Sequence, residues 1–219
     1  MPELVWDEIG ARIFETGINH AVLYVQHTDG TYPAGVPWNG IISISEKPSG
    51  AEPTPLYADN IKYLTLVGAE EFAATIEAYT YPDEFAECDG SYEAADGVFL
   101  AQQRRKKFGL VYKTKLGNDV MGNDLGYKLH IIYGALAAPS EKSYSTINDT
   151  PEAITFSWEI TTDAVDVTDY RPTAMVVIDS TKADAAKLAL LEDELFGTYP
   201  AGVANLPLPN AIIAMLETP

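Results

Sequence analysis

The chain alternates between short runs with a two-residue hydrophobic period and segments rich in turn-forming residues. In the run AITFSWEITT (residues 153–162), every second residue from Ile154 to Ile160 is branched or aromatic, and the residues between are polar or charged. This alternation is typical of a half-buried β-strand. Two earlier runs, FGLVYKTKLG from Phe108 and GYKLHIIYGAL from Gly126, are separated by NDVMGND, a segment with hairpin-turn chemistry. We therefore predict an antiparallel sheet at the centre of a mainly β fold.

Further strands are predicted along the rest of the chain, at 19–26, 40–46, IKYLTLVG, EEFAATIEAYTY and MVVI. One flanking helix is predicted near the C-terminus, over 182–196. Thr181 and Asp184 there form a capping-box pattern, and Gly197 is a plausible stop. Leu188, Leu191 and Leu195 give this helix one apolar stripe. DEFAEC, after Pro82, predicts one helical turn with the proline at its first position.

The 219 residues are predicted to form a single domain with two arms, at 1–17 and 198–219. Residues 47–60 contain three prolines and one glycine and predict a long loop, which in a compact domain is usually functional or mobile. The heptapeptide GTYPAGV occurs at 30–36 and again at 197–203. Because the flanking sequences differ, the repeat indicates shared turn chemistry rather than a duplicated domain.

Charge is unevenly distributed over a chain whose net charge is −18. Residues 1–100 hold 17 acidic and 3 basic residues, whereas residues 101–142 hold 8 basic and 3 acidic ones. A protein that grips nucleic acid through its phosphates needs the opposite balance. The basic run Arg104, Arg105, Lys106 and Lys107 allows two interpretations: a patch that meets the acidic surface of a second copy, or a charged solvent face.

The candidates for chemistry are few. His20, His27 and His130 have no metal-ligand spacing with one another or with Cys88, and no phosphate loop or nucleophile elbow is present. The acidic surroundings of Cys88 would raise its thiol pKa, which favours an inert packing role. Carboxylate pairs such as Glu70–Glu71 arise readily in so acidic a chain. We therefore expect no enzyme activity, no cofactor and no metal.

Hydropathy and cysteine content also indicate where the protein is made. No apolar run is long enough to cross a bilayer, and the acidic N-terminus does not resemble a signal peptide. A single cysteine excludes an intrachain disulfide and fits a reducing compartment. The expectation is a protein made in a cytoplasm without membrane association.

Four long stretches of the chain resemble one known family. They are VWDEIGARIFETGINHAVLYVQ, EAYTYPDEFAECDGS, GYKLHIIYGALAAPSEKSYSTINDTPEAITFSWE and VIDSTKADAAKLALLED. Together they resemble the major tail protein, or tail tube protein, of long-tailed non-contractile bacteriophages (siphophages). The resemblance implies a β-sandwich or barrel-like subunit that forms stacked hexameric rings in the virion. Double-stranded DNA would pass through the lumen without specific binding. Implied partners are the tape measure protein, the tail terminator and the tail tip proteins, with assembly in the host cytoplasm.

Carried onto this chain, the resemblance suggests roles for particular residues. Glu71, Glu77 and Glu159 lie on predicted strands and are candidates for the lumen. Carboxylates there would repel phosphates only within about one Debye length, ~8 Å in physiological salt. The loop 47–60 looks like the family's long loop that reaches the next subunit or ring. The contact candidates are Lys47, Pro48, Glu52, Pro53, Tyr57, Asp59, Arg104, Arg105, Lys106 and Lys107.

Two other functions remain open from the sequence. The 13 tyrosines of a β-rich chain would suit a glycan-binding β-sandwich on a virion or cell surface. A hydrolase with an unrecognised carboxylate pair is a further alternative.

Overall fold

A computed structural model describes residues 4–50, 52–147, 149, 153–198 and 202–217 of the chain. The fold is mainly β with a helix near the C-terminus, which confirms the predicted class. The strands are β1 (Ile13–Val25), β2 (Val36–Pro37), β3 (Ile41–Glu46), β4 (Ser49–Gly50), β5 (Pro53–Ala58), β6 (Ile61–Val67), β7 (Glu70–Glu71), β8 (Ala73–Ala78), β9 (Tyr92–Ala95), β10 (Val98–Leu100), β11 (Phe108–Asn118), β12 (Gly122–Ala137), β13 (Phe156–Thr162) and β14 (Met175–Asp179). The helices are α1 (Phe85–Cys88), α2 (Ala185–Phe196) and α3 (Pro209–Leu216).

One antiparallel sheet forms the body, with the strand order β2-β1-β11-β12-β13-β8-β3 and with β14 also paired to β12. The three runs predicted to form the central sheet, β11, β12 and β13, are neighbours in that order. Side chains from the six strands β1, β11, β12, β13, β8 and β3 share one apolar cluster, so the sheet curls around it. Within the described residues no ladder joins β1 to β3, and the place where these two strands face each other is called the seam below.

A bulge in β12 makes the curl possible. Residues 128–132 of this strand pair with β14, whereas residues 135–137 pair with β13. Between the two stretches Gly134 has a φ of +60° and a Cβ there would overlap the backbone of Asp163, so only glycine fits without strain. The extra residue also shifts the facing of the strand, since Ile132 and Ala135 contact the same core.

Two apolar cores stabilise the fold. The sheet core lies inside the curl and is built around fully buried aromatic side chains, with Trp158 at 5.0 Å from Phe85 and 5.7 Å from Trp38 between ring centres. The helix core lies on the outer face of β1, β11, β12 and β14. Leu188, Leu191 and Leu195 of α2 are buried there, as their stripe predicted. The strands between the two cores are buried on both faces, which explains the continuous burial from Phe108 to Tyr112.

The start of α2 differs from the prediction. The helix begins after Asp184, whose carboxylate accepts from the N–H groups of Ala186 and Lys187, both at 3.0 Å. Thr181 does not cap the helix, because its N–H and hydroxyl both donate to Asp179 Oδ1, at 2.9 and 2.6 Å. Asp184 is the better cap since its carboxylate satisfies two of the free N–H groups of the first turn.

Several predicted boundaries also change. Strand β1 begins at Ile13 rather than at residue 19, so the end of the predicted arm 1–17 is part of the sheet. Residues 47–60 are not an irregular loop, because they contain β4 and β5. Pro53 and Pro55 lie in β5, which pairs with β6 alone, as prolines in strands require. Pro82 precedes α1 instead of occupying its first position, and accepts from Phe85 N–H at 3.0 Å. The predicted arm 198–219 contains α3, whose Ile212 is buried in the helix core.

Candidate assembly surfaces

The most exposed element is the hairpin formed by β5 and β6. Every residue of both strands is exposed, and the two strands pair only with each other. Asp59 and Asn60 form its two-residue turn with φ values of +50° and +64°, as a type I′ hairpin turn requires. A two-stranded hairpin without support is at best marginally stable in water. Within the described residues no other strand pairs with the hairpin, so its stability favours support from a further surface.

Both faces of this hairpin are apolar. Leu56 lies opposite Leu64, and Leu66 follows on the same face. The other face carries Ile61 and Tyr63, which are 65% and 69% exposed. A contiguous exposed apolar surface of this kind marks an interaction site in a protein. Because the two faces point in opposite directions, full cover requires contact on both sides.

The predicted contact residues from 47 to 59 lie in and beside this hairpin. Lys47 precedes β4 and its Nζ lies 3.6 Å from Glu159 Oε1, in a pair that is mostly exposed. The other five, all exposed, are Pro48, Glu52, Pro53, Tyr57 and Asp59. Tyr57 and Asp59 lie towards the far end of the hairpin, where they are available to another molecule.

A second surface is the outer face of β3, β8 and β13, opposite the sheet core. The pairing places Ser157 and Ser43 on either side of Glu77, and Glu159 opposite Thr75. Ser43 Oγ donates to Glu77 Oε2 at 2.8 Å. This face, called the acidic hydroxyl face below, therefore carries small hydroxyl side chains and two of the predicted lumen carboxylates. The third, Glu71, lies on β7 opposite Ser49, outside these three strands.

The segment before β1 is a third candidate surface, and it is apolar like the hairpin. Leu4, Trp6 and Ile9 are 73%, 74% and 85% exposed. Hydrogen bonds of 3.0 Å from Gly10 N–H to Asp119 and from the Asn118 side chain to Gly10 O hold this segment at the β11–β12 turn. It therefore presents its apolar side chains outward from a fixed position.

This segment and the hairpin lie at the same end of the body. Glu46, the last residue of β3, and Glu15, near the start of β1, both approach His130. The chain that continues from β3 into the hairpin therefore leaves the body at the end where β1 begins. Exposed apolar surface is concentrated at that end.

Three of the four side chains in the basic run form ion pairs within the chain. Arg105 Nη1 lies 3.5 Å from Asp89 Oδ1 and donates to Ala137 O at 3.0 Å. Lys106 pairs with Glu87, and Lys107 pairs with Asp163. Arg104 is exposed and forms no ion pair among the residues that the structure describes. Of the four predicted contact residues in this run, Arg104 is the one whose charge faces outward without an intrachain partner.

The three histidines and the cysteine show no arrangement for metal binding. Among the described residues, no group of three or more His, Cys, Asp and Glu side chains is placed to hold a metal ion. Cys88 is fully buried, and burial followed by the Glu87 charge raises the pKa of its thiol to about 12. The predicted direction of that shift is confirmed.

His130 lies in a cluster at the seam. Its Nε2 is 2.9 Å from Thr114 Oγ1 and 3.3 Å from Glu15 Oε1, and its Nδ1 is 3.6 Å from Glu46 Oε1. The Tyr112 ring stacks on the imidazole at 4.7 Å with an angle of 3°. Sequence reasoning missed this cluster, because its members come from four strands and share no local pattern.

The cluster contains the residue types of a nucleophile–base–acid triad in Thr114, His130 and Glu46. The Thr114 hydroxyl, however, donates to Glu15 Oε1 at 2.5 Å rather than to the imidazole. The 3.6 Å between Nδ1 and Glu46 is also too long for a hydrogen bond. In this geometry the imidazole neither receives the threonine proton nor is oriented by the glutamate, so the hydroxyl is not activated.

An open groove of about 560 Å³ lies at the other end of the seam, beside the bulge in β1. Ile18, Val22, Trp38, Ile41 and Phe196 are among the residues that line it, and no aspartate, glutamate, lysine or arginine is among them. It is the natural place to look for a small uncharged ligand.

Comparison with known proteins gave matches among solved structures alone. No family model matches the chain, and no curated protein matches it. The solved structures that match include two of low similarity. The anti-feeding prophage cap (a tube-terminating cap) is 11% identical, with 82% of this chain and 96% of that chain covered and a TM-score of 0.35. A chain of the PVC sheath–tube complex, an extracellular contractile injection system in the extended state, is 16% identical, with 73% and 89% covered and a TM-score of 0.32. Similarity at this level establishes neither a shared fold nor a shared function.

No helix in the described part of the chain combines the length and hydrophobicity needed to cross a bilayer.

Proposed function

We propose that this protein is the structural subunit of a phage-type tail tube, and that copies of it assemble into stacked hexameric rings. The observation that carries the proposal is the β5–β6 hairpin, which projects from the body with apolar residues on both faces. A monomer gains nothing from such an element, whereas a stacked assembly can cover both faces at once.

The acidic hydroxyl face supplies the channel in this proposal. Glu77, which is half-buried, and Glu159, which is exposed, stand among serine and threonine side chains on one face of the sheet. Repeated around a ring, that surface would repel duplex DNA at short range, with Lys47, 3.6 Å from Glu159, as the one basic group described beside these carboxylates. DNA passes through without specific binding and without chemistry. The resemblance of the sequence to tail tube proteins supports the same role.

The remaining partners follow from the role. A tube of this type ends at a tail terminator and a tail tip, and encloses a tape measure protein during assembly in the host cytoplasm. Its location is the tail of a virion. We propose no cofactor and no membrane partner.

The decisive experiment is assembly by the purified protein. Light scattering after size exclusion and negative-stain electron microscopy should show rings or tubes for the wild type, if necessary with the tape measure protein added. A variant with Leu56→Ser, Leu64→Ser and Leu66→Ser should remain monomeric, with an unchanged circular dichroism spectrum. Leu190→Ser is the matched control, since this leucine is 63% exposed on α2, far from the hairpin in sequence.

Two results would overturn the proposal. One is a wild-type protein that stays monomeric at high concentration with the tape measure or tail-initiating proteins present. The other is a triple variant that assembles as well as the wild type. Saturable binding of a sugar by the monomer would instead favour the glycan-binding alternative.

A further inference from the structure

A second exposed hairpin, formed by β9 and β10, follows α1 in the chain. Among the described residues its two strands pair only with each other. All three residues of β10 are large and apolar: Val98, Phe99 and Leu100 are 52%, 51% and 51% exposed. Exposed apolar side chains grouped on an isolated two-stranded hairpin mark a site of interaction with another molecule.

The base of the β9–β10 hairpin is fixed to the body. Gln103 N–H donates to Gly90 O at 3.0 Å, which closes the base of the hairpin. Arg105 Nη1 donates to Ala137 O at 3.0 Å, which ties that base to the end of β12. The hairpin therefore presents its apolar residues from a held position, and less conformational entropy is lost when it binds a partner.

The β9–β10 hairpin and the open groove lie near the same end of the body. The chain runs from the hairpin into β11 at Phe108, which pairs with Val25, the last residue of β1. The groove is lined near that end, by Val22 of β1 and by Ile41 at the start of β3. The β5–β6 hairpin, by contrast, leaves the body at the end where β1 begins.

The β9–β10 hairpin and the groove lie on opposite sides of the curled sheet. In the order β1-β11-β12-β13-β8-β3, the groove lies at the seam between the first and the last strand. The segment after β10 is bound to the middle of that order, since Arg105 donates to Ala137 of β12 and Lys107 pairs with Asp163, just after β13. Two surfaces at one level on opposite sides can meet when copies stand side by side, and such a head-to-tail contact can close a ring.

The charges beside the two surfaces have opposite signs. Arg104 follows β10, is exposed and forms no ion pair among the described residues. Asp193 and Glu194 lie in the last turn of α2, next to Phe196 of the groove, and no basic residue accompanies them in that turn. The helix dipole disfavours carboxylates at this position, so a cation from another molecule would stabilise them.

The acidic residues of the β9–β10 hairpin do not oppose this contact. Glu93 accepts from Gly97 N–H at 2.7 Å and is engaged within the hairpin. Asp96 lies at the turn. The groove includes the amide groups of Asn19 and Asn39, which can donate hydrogen bonds to a carboxylate without adding a like charge.

We propose that the β9–β10 hairpin of one copy docks in the open groove of the next copy, and that this lateral contact closes the ring. Val98, Phe99 and Leu100 occupy the groove, and Arg104 lies beside the acidic last turn of α2. The groove volume of about 560 Å³ falls within the range of about 300–1,000 Å³ that is typical of binding pockets in proteins. The inference rests on the proposed self-assembly, within which it assigns the contact between neighbours in one ring.

Disulfide trapping tests the contact directly. In the double variant Phe99→Cys with Asn39→Cys, each subunit carries one thiol on the hairpin and one at an exposed position of the groove. Mild oxidation of the assembled protein should give a ladder of covalent species larger than dimers on a non-reducing gel, because a disulfide needs Cα atoms within about 7 Å. Each single variant can form nothing larger than a dimer, since the native Cys88 is buried.

A matched pair controls for collision between exposed thiols. Phe99→Cys with Leu190→Cys places the second thiol on the exposed surface of α2, outside the groove, and should give no such ladder. An equal ladder from this pair would overturn the groove as the receptor.

Loss of the apolar residues gives a second readout. The triple variant Val98→Ser, Phe99→Ser and Leu100→Ser should keep its circular dichroism spectrum but no longer form rings, as judged by light scattering and electron microscopy. Leu190→Ser should form rings like the wild type.

The two proposals fail in different ways. A wild type that assembles, together with a Phe99–Asn39 cysteine pair that gives no ladder or a serine variant that still forms rings, would overturn this lateral contact and leave the tube subunit standing. A wild type that stays monomeric would overturn both. If Nile red, an uncharged dye, then bound the monomer and Asn39→Trp blocked it, the occupant of the groove would be a small apolar molecule.

Discussion

Lys113 Nζ on β11 lies 2.7 Å from Glu192 Oε1 on α2. The same ammonium group stands 4.3 Å from the centre of the Tyr127 ring and 4.8 Å from that of Phe196. Both charged side chains are largely buried, at 15% and 24% exposed. This contact explains why α2 carries a carboxylate in its last turns, where the helix dipole disfavours negative charge.

Replacing Lys113 should therefore loosen the helix from the sheet. We expect Lys113→Gln to lower the free energy of unfolding by about 2 kcal/mol, because it removes a largely buried ion pair and the cation–π contacts of the ammonium group. Lys115→Gln, at an exposed lysine two residues along the same strand, should change it by less than about 0.5 kcal/mol. Urea denaturation followed by tryptophan fluorescence measures both. Equal losses of unfolding free energy in the two variants would contradict a stabilising role for the Lys113 contacts.

The repeated GTYPAGV segment gives a second prediction about stability. Its first glycines, Gly30 and Gly197, both have positive φ, at +85° and +75°. Gly35 in the first copy packs against the Tyr24 ring, and a Cβ there would overlap it. The Tyr24 hydroxyl donates to Leu195 O, so moving that ring disturbs the contact between β1 and α2.

We expect Gly35→Ala to cost about 1–3 kcal/mol of folding free energy through overpacking. Gly68→Ala is the matched control, since a Cβ at that position meets no atom within 4 Å. The shift of the thermal midpoint, measured by differential scanning calorimetry, should separate the two variants. A Gly35→Ala protein as stable as the wild type would show that the Tyr24 ring can move freely.

How far the sequence predicts this molecule depends on whether a feature is local. The period of two in residues 153–162 and the leucine stripe of α2 predict the strand and the helix, since each pattern reflects burial of one face. The hairpin is different: the run IKYLTLVG predicts β6, but the prolines of residues 47–60 suggest a loop where the structure has β5. Its structure follows from pairing rather than from a local pattern.

For the candidate surfaces too, the sequence predicts the local features and misses the contacts between distant residues. The sequence predicts that Glu77 and Glu159 lie on strands, but their common face depends on the register between β8 and β13. The partners of the basic run, Glu87, Asp89 and Asp163, and the carboxylates around His130 come from distant parts of the chain. No local pattern could reveal those contacts.

Cys88 offers a direct probe of the sheet core. Its thiol is fully buried with a raised pKa of about 12, so the reactive thiolate is scarce and inaccessible at neutral pH. We expect negligible reaction with a thiol reagent in the native protein and complete reaction in denaturant. Thr65→Cys in a Cys88→Ser background, at an exposed position of β6, should react at once and is the positive control. Rapid labelling of Cys88 under native conditions would contradict its burial.

Asp89 is an intrachain partner of the basic run, so replacing it tests which charges of that run stabilise the fold. Its side chain is 7% exposed and it pairs with Arg105 and Lys142. Asp89→Asn leaves two cations without their carboxylate and should lower the free energy of unfolding by about 3 kcal/mol. Arg104→Gln should leave stability unchanged within about 0.5 kcal/mol, because that side chain is exposed.

A charge reversal at Arg104 tests whether this residue contributes to association between copies of the chain. If Arg104 meets an acidic surface of a second copy, Arg104→Glu weakens association while the fold remains intact. Analytical ultracentrifugation over a range of salt concentrations provides the measurement. Unchanged association in Arg104→Glu would remove this residue from the interface.

The acidic hydroxyl face predicts how a tube would treat DNA. Glu77 and Glu159 both point away from the sheet core, and β13 pairs with β8 so that both carboxylates share one surface. Reversing both charges, with Glu77→Lys and Glu159→Lys, would place two lysines per subunit on that surface. If it lines the channel, assembled tubes of the variant should retain duplex DNA that the wild type releases, and added salt should weaken the retention. Glu93→Lys, at an exposed position of β9, is the control and should not retain DNA. Retention by the control but not by the double variant would place the channel on another face of the subunit.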